Sequence, residues 1–149
     1  MVTKINTSKL NSANTSLIGK LIRTSSLAIL ASAVTNLGLY AAAGSLYPEV
    51  TSWSGAGPGH IIGANFVYLL MGTLVFYLII RKSSNPARHY LIAASIGLLL
   101  SLALPISAGF GFGAPAGMPA GLATVITLCL MHIVSFAISV PMFIRLIKD

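Results

Sequence analysis

Four hydrogen-bonding side chains stand deep inside long apolar runs: Asn36, Tyr68, Ser101 and His132. An imidazole can donate, accept or take up a proton near neutrality. A primary amide offers donors and acceptors together, and each hydroxyl does both with one proton. Polar groups at membrane depth are costly, so their positions are the best internal clue to function. Each of the four lies thirteen residues from an arginine on its own segment, namely Arg23, Arg81, Arg88 and Arg145. A helix rises 1.5 Å per residue, which puts every one of them about 20 Å from its arginine. The spacing predicts a common polar layer, with the Asn36 amide bonded to the His132 imidazole and the Tyr68 and Ser101 hydroxyls completing it. Such a layer is either interhelical glue, at about 0.6 kcal/mol per bond, or the lining of a small cavity in which His132 titrates or holds a ligand. Glue is the commoner use in helix bundles.

Other chemistries find little support. Cys129 precedes His132 by three residues, so the two share a helix face as a Cys–His nucleophile would. Nothing nearby would activate the thiol, and a cysteine in an apolar span is normally an inert small hydrophobe. One cysteine also excludes an intrachain disulfide or a CxxC framework. His60 belongs to one edge of the apolar region and His89 to the other, out of reach of His132, so no metal, haem or other cofactor is expected. No Asp or Glu falls within an apolar run, which argues against a carboxylate relay for protons or cations. The string Gly109, Gly111 and Gly113 lacks the preceding strand and following helix of a phosphate-binding loop. It reads as an apolar loop in the membrane interface, or a shallow re-entrant one if protein covers it.

The elements that must position these groups are membrane spans. A crossing helix needs about 20 apolar residues, and four segments supply them: 27–46, 61–80, 90–107 and 122–144. Pro105 is placed to kink or end the third, and Pro141 sits near the end of the fourth. Hydrophobic residues make up 56% of the chain and charged residues only 7%, against roughly 25% charged in a soluble domain. Mean hydropathy is +0.90. Nine of the eleven charged residues are basic. Lys4, Lys9, Lys20 and Arg23 precede the first span, Arg81, Lys82 and Arg88 join the second to the third, and Arg145 and Lys148 follow the fourth. The two remaining connections hold no Lys or Arg and one acid, Glu49. Basic loops resist translocation. The sequence therefore predicts an all-α membrane protein, a four-transmembrane-helix up-down bundle with N and C termini cytoplasmic. Charges that flank hydrocarbon-length segments meet anionic headgroups rather than nucleic acid.

Residues 1–25 are polar and basic and are expected to form a largely disordered cytoplasmic tail, ending in a short interfacial helix near Lys20 and Arg23. Residues 26–147 form the four-helix transmembrane domain. A basic start and Ala41-Ala42-Ala43 imitate a cleaved signal peptide, but the basic region is too long and the apolar run long enough to span. Trp53 and Tyr47 fit an interfacial aromatic belt. Gly97-x-x-x-Ser101, Ser135-x-x-x-Ser139 and the series Ala28, Ala31, Thr35 and Gly38 are small-residue seams that would let backbones approach.

The run Leu128-Cys129-Leu130-Met131-His132-Ile133-Val134, continuing to Val140-Pro141 and Arg145, carries a resemblance, as does Asn36 followed by Leu39-Tyr40. Both resemble a family of small bacterial four-span membrane proteins of unknown function, known mainly from actinobacteria and related groups. The resemblance covers roughly residues 25–147 and is specific only across the last helix. It implies an integral membrane protein with no assigned reaction, and makes Asn36, Met131, His132 and Pro141 the positions to watch. Together these features predict a non-enzymatic structural or interaction component of the bacterial cytoplasmic membrane. Its partners would be the lipid bilayer, another membrane protein or a second copy of itself. The alternative is a small-solute transporter or channel subunit with its path at the Asn36–His132 level. A membrane enzyme acting on a lipid or quinone through His132 lacks a second catalytic group.

Overall fold

The computed structural model describes residues 7–112 and 118–148, with the side chains of 17–112 and 118–147. It is helical, with no strand among the described residues. The order is α1 (Thr7–Leu46), α2 (Glu49–Ser52), α3 (Pro58–Lys82), α4 (Pro86–Gly109) and α5 (Leu122–Lys148). Residues 17–46 of α1, all of α3 and α4, and 122–147 of α5 are long and apolar enough to cross a membrane. Each contains the span expected from the sequence and runs past it into the basic flanks.

Two local expectations change. The short interfacial helix expected near Lys20 and Arg23 is not separate, because α1 is continuous from Thr7 to Leu46. Once a span is nucleated, adding residues costs little, and no proline interrupts the segment. Residues 1–6 lie outside the described residues. Pro105 does not end the third span, since α4 runs on to Gly109. Gly111 then takes a left-handed φ of 82°, a conformation that glycine adopts without a Cβ clash. The middle of the loop that follows, with Gly113 and Gly117, lies outside the described residues.

The helices alternate in direction. At the basic end Leu21, Ala28, Phe76, Tyr90, Val140 and Phe143 form one buried cluster, and at the far end Tyr40, Val50, Ala56, Ile61 and Met131 form another. Helix α5 packs along both α1 and α4, and α1 packs along α3. Helices α3 and α4 meet less extensively, and α3 meets α5 through side chains with little close backbone approach. Their tight contact is at the basic end. There the Phe76 ring stacks edge-on against Tyr90 at 4.7 Å between centroids, and both lean on Phe143 at 5.0 and 5.7 Å.

The far end is tied together through side chains. The Trp53 indole N–H donates to the Met118 carbonyl at 3.1 Å, linking the two connections. Tyr40 donates to the Ala56 carbonyl at 2.9 Å. Glu49 Oε1 accepts from the Ala123 N–H at 3.0 Å, so this carboxylate caps the first turn of α5, where free N–H groups and the helix dipole favour negative charge. Gly121 permits the approach, because a Cβ there would come within 2.7 Å of the Glu49 carboxyl carbon. Glu49→Ala is expected to lower stability by roughly 0.5–1 kcal/mol, the usual worth of a helix cap. Glu49→Gln, which keeps an acceptor but loses the charge, should lose less. Thermal unfolding in detergent micelles checks the order, and an unchanged midpoint for the alanine variant would rule the cap out.

Candidate functional site

The buried residues of α1 are Leu21, Ser25, Ala28, Ser32, Ala33, Asn36 and Tyr40. Of the expected seam only Ala28 is among them. Thr35 and Gly38 are exposed, and the Thr35 hydroxyl folds back onto the Ala31 carbonyl. Small polar residues thus face the interior, where Ser25 and Asn36 find side-chain partners and the fully buried Ser32 hydroxyl has none among the described residues. Thr73 donates to the Leu69 carbonyl at 2.7 Å. Its single proton is then occupied, so in the 2.8 Å contact with Ser25 the serine is the donor.

Asn36 is 2% exposed and lies at the centre of a hydrogen-bonded network. Its amide nitrogen faces three acceptors: Ser135 Oγ at 2.9 Å, Asn65 Oδ1 at 3.2 Å and the Met131 carbonyl at 3.3 Å. Ser135 in turn donates to Asn65 Oδ1 at 3.0 Å, and Asn65 donates to the Ile61 carbonyl at 2.8 Å. The orientation of the Asn36 amide follows, since turning it over would set its oxygen against the oxygens of Asn65 and Met131. Asn36 Oδ1 is the end left without a partner. Three helices, α1, α3 and α5, meet through this one side chain.

His132 is not part of it. The expected Asn36–His132 bond is absent because the two side chains leave α5 and α1 toward different neighbours. His132 faces α4, and its Nδ1 lies 3.0 Å from Ser101 Oγ. Tyr68 approaches from α3, with its ring edge-on to the imidazole at 6.0 Å between centroids. The structure therefore brings His132, Ser101 and Tyr68 together and gives Asn36 to Asn65 and Ser135. Asn65 and Ser135 were missed, although an amide within an apolar run is itself the signal. Asn65 stands one helical turn from Tyr68, and Ser135 one turn from His132, within the error of counting along helices of unequal tilt.

The two groups border a cleft of about 410 Å3 between α3 and α4, with α5 as its back wall. Its volume lies in the range of small-molecule sites, roughly 300–1,000 Å3. Asn65, Tyr68, Ser101 and His132 line its middle, and Val75, Tyr90 and Val140 its limit toward the basic end. The α4 wall includes three small residues, Ala93, Ala94 and Gly97, beside Leu98. Gly97 was expected to let backbones touch, but a Cβ there would meet nothing within 4 Å. Its smallness leaves space instead. Tyr68 and Met71 on the α3 rim are 46% and 55% exposed, so the cleft opens sideways.

Among the described residues no three His, Cys, Asp or Glu side chains group as a metal site would require. Cys129 is partly buried and lies outside the cleft lining. Four apolar helices, an internal amide network and a sideways cleft define a multi-pass membrane protein with a candidate binding site in its hydrocarbon layer. The chain belongs to a family of unknown function, DUF6069, whose model matches residues 17–149. No curated protein and no solved structure matches it.

Proposed function

We propose that this protein is a non-enzymatic interaction component of the bacterial cytoplasmic membrane. It holds an amphiphilic molecule with a long apolar body in the α3–α4 cleft, and its basic end faces the cytoplasm. The orientation rests on the distribution of Lys and Arg. The observation that carries the binding role is the cleft itself, a cavity of about 410 Å3 walled by Ala93, Ala94 and Gly97 with His132 and Ser101 at mid-depth. Close-packed glue has no use for such a space, because unfilled volume forfeits dispersion contacts. The Asn36 network, in contrast, is glue. A through-path for solutes is less well supported, since Tyr90 at the inner limit is braced by Phe76 and Phe143.

Photolabelling tests the proposal. The full chain is reconstituted in phosphatidylcholine nanodiscs with a long-chain alcohol that carries a diazirine, irradiated and mapped by peptide mass spectrometry. Label is expected to concentrate on cleft residues such as Tyr68, Val75 and Ala93, above lipid-facing Leu99 and Leu100, which are each 69% exposed. Gly97→Leu fills open space and should remove most of the cleft label while leaving the fold intact. Uniform labelling that ignores Gly97→Leu would overturn the binding role.

A further inference from the structure

The ligand class can be narrowed from the hydrogen-bond pattern around His132, an inference that rests on the binding role proposed above. Ser101 has one hydroxyl proton, and it goes to the Leu98 carbonyl at 2.8 Å. The same oxygen lies 3.0 Å from His132 Nδ1. With that proton on Leu98, two lone pairs facing each other would repel, so Nδ1 carries the proton and Ser101 accepts it; both Ser101 bonds are kept only in this tautomer. A neutral imidazole has one N–H, and charging the ring at this depth would be costly. Its Nε2 is then a bare acceptor.

That acceptor has no hydrogen-bond partner among the described residues, and its ring lines the cleft. The other polar groups at this level are turned to one another, apart from Asn36 Oδ1, which is buried behind them without a partner. Ser135 donates to Asn65 and accepts from Asn36, and Asn65 donates to Ile61. Tyr68 places its ring edge, rather than a hydrogen bond, against the imidazole.

We infer that the cleft selects apolar molecules bearing a hydroxyl or N–H donor, long-chain alcohols and their kind, over equally apolar molecules that only accept, such as ethers and esters. The donor meets His132 Nε2, and Ser101 is a positioning residue that holds the tautomer. A site built to pair a donor discriminates against its absence, because the buried acceptor is left unpaired.

Competition against the diazirine alcohol gives the test. Hexadecanol and hexadecyl methyl ether are compared in a Tyr68→Phe background, which removes the phenol as a rival donor. Hexadecanol is expected to displace label about three to ten times better, the span of one hydrogen bond worth roughly 0.6–1.4 kcal/mol. Ser101→Ala frees the proton to move to Nε2, so the preference should collapse toward unity while cleft labelling persists. Nitrogen-15 spectra of the His132 ring should show Nδ1 protonated and Nε2 bare, with Nε2 shifting on addition of hexadecanol. Equal competition by alcohol and ether, with label still lost in Gly97→Leu, would overturn the donor preference and leave the cleft's binding role standing. Protonated Nε2 in the wild-type spectrum would overturn it too. Loss of cleft labelling altogether would sink the binding role first.

Discussion

Replacing Asn36 by aspartate is expected to destabilise the protein by about 3 kcal/mol or more, the scale of a buried charge left without compensation. The change is one of a single atom, and its effect comes from what that atom faces. The amide nitrogen points at the Ser135 hydroxyl, the Asn65 side-chain oxygen and the Met131 carbonyl. A carboxylate would present oxygen to all three, with no cation among the described residues at that depth. Asn36→Leu should cost less, roughly 1–2 kcal/mol, because it removes the donor without adding a charge and leaves acceptors unsatisfied. Reversible unfolding in mixed micelles, titrated with a denaturing detergent, reads both. If the aspartate variant unfolds no earlier than the leucine variant, the three-acceptor picture is wrong.

Phe76→Ala comes next, at about 3 kcal/mol. The Phe76 ring is fully buried and touches both Tyr90 and Phe143, so truncation removes a ring from a place with no atoms to replace it. Phe→Ala in a packed core costs about 3–5 kcal/mol. The low end is expected here, since lipid tails lower the cost of exposing apolar surface. Phe76→Leu should recover most of the loss. The same variant separates the bundle's two halves experimentally. Slackening at the basic end should raise hydrogen exchange around Tyr90 and leave the amides near Glu49 and Ala123 unchanged, because that end is held by its own buried cluster. Uniform exchange along the molecule would show that the halves are not separable.

The parts of the fold legible in the sequence were those written in composition. Charge-free runs of hydrocarbon length, each bounded by arginine or lysine, identify four helices because no other structure satisfies the backbone in lipid. The His132–Ser101 pairing was within reach of counting along helices, as both stand thirteen residues from an arginine. Azimuth was not within reach. Asn36 and His132 share a depth but leave their helices in different directions, and depth carries no information about direction. Small residues are ambiguous for a related reason. Ala28 is small so that a neighbour can approach, whereas Gly97 is small and nothing approaches, and the letters alone do not distinguish contact from space. Tyr68 was preferred to Asn65 on a count of thirteen, although an amide in hydrocarbon demands a partner more strongly than a phenol at a rim.

For the binding role proposed above, the sideways opening at Tyr68 and Met71 sets the scale on which occupancy must be measured. A molecule that reaches the cleft from between acyl chains never passes through bulk water, so its encounter with the protein is a two-dimensional event. The controlling variable is its mole fraction in the bilayer. Diluting a proteoliposome suspension with buffer should leave the cleft as full as before, while adding empty vesicles should drain it. Apparent affinities expressed in molar units will therefore differ between preparations that contain identical protein and differ only in how much lipid surrounds it.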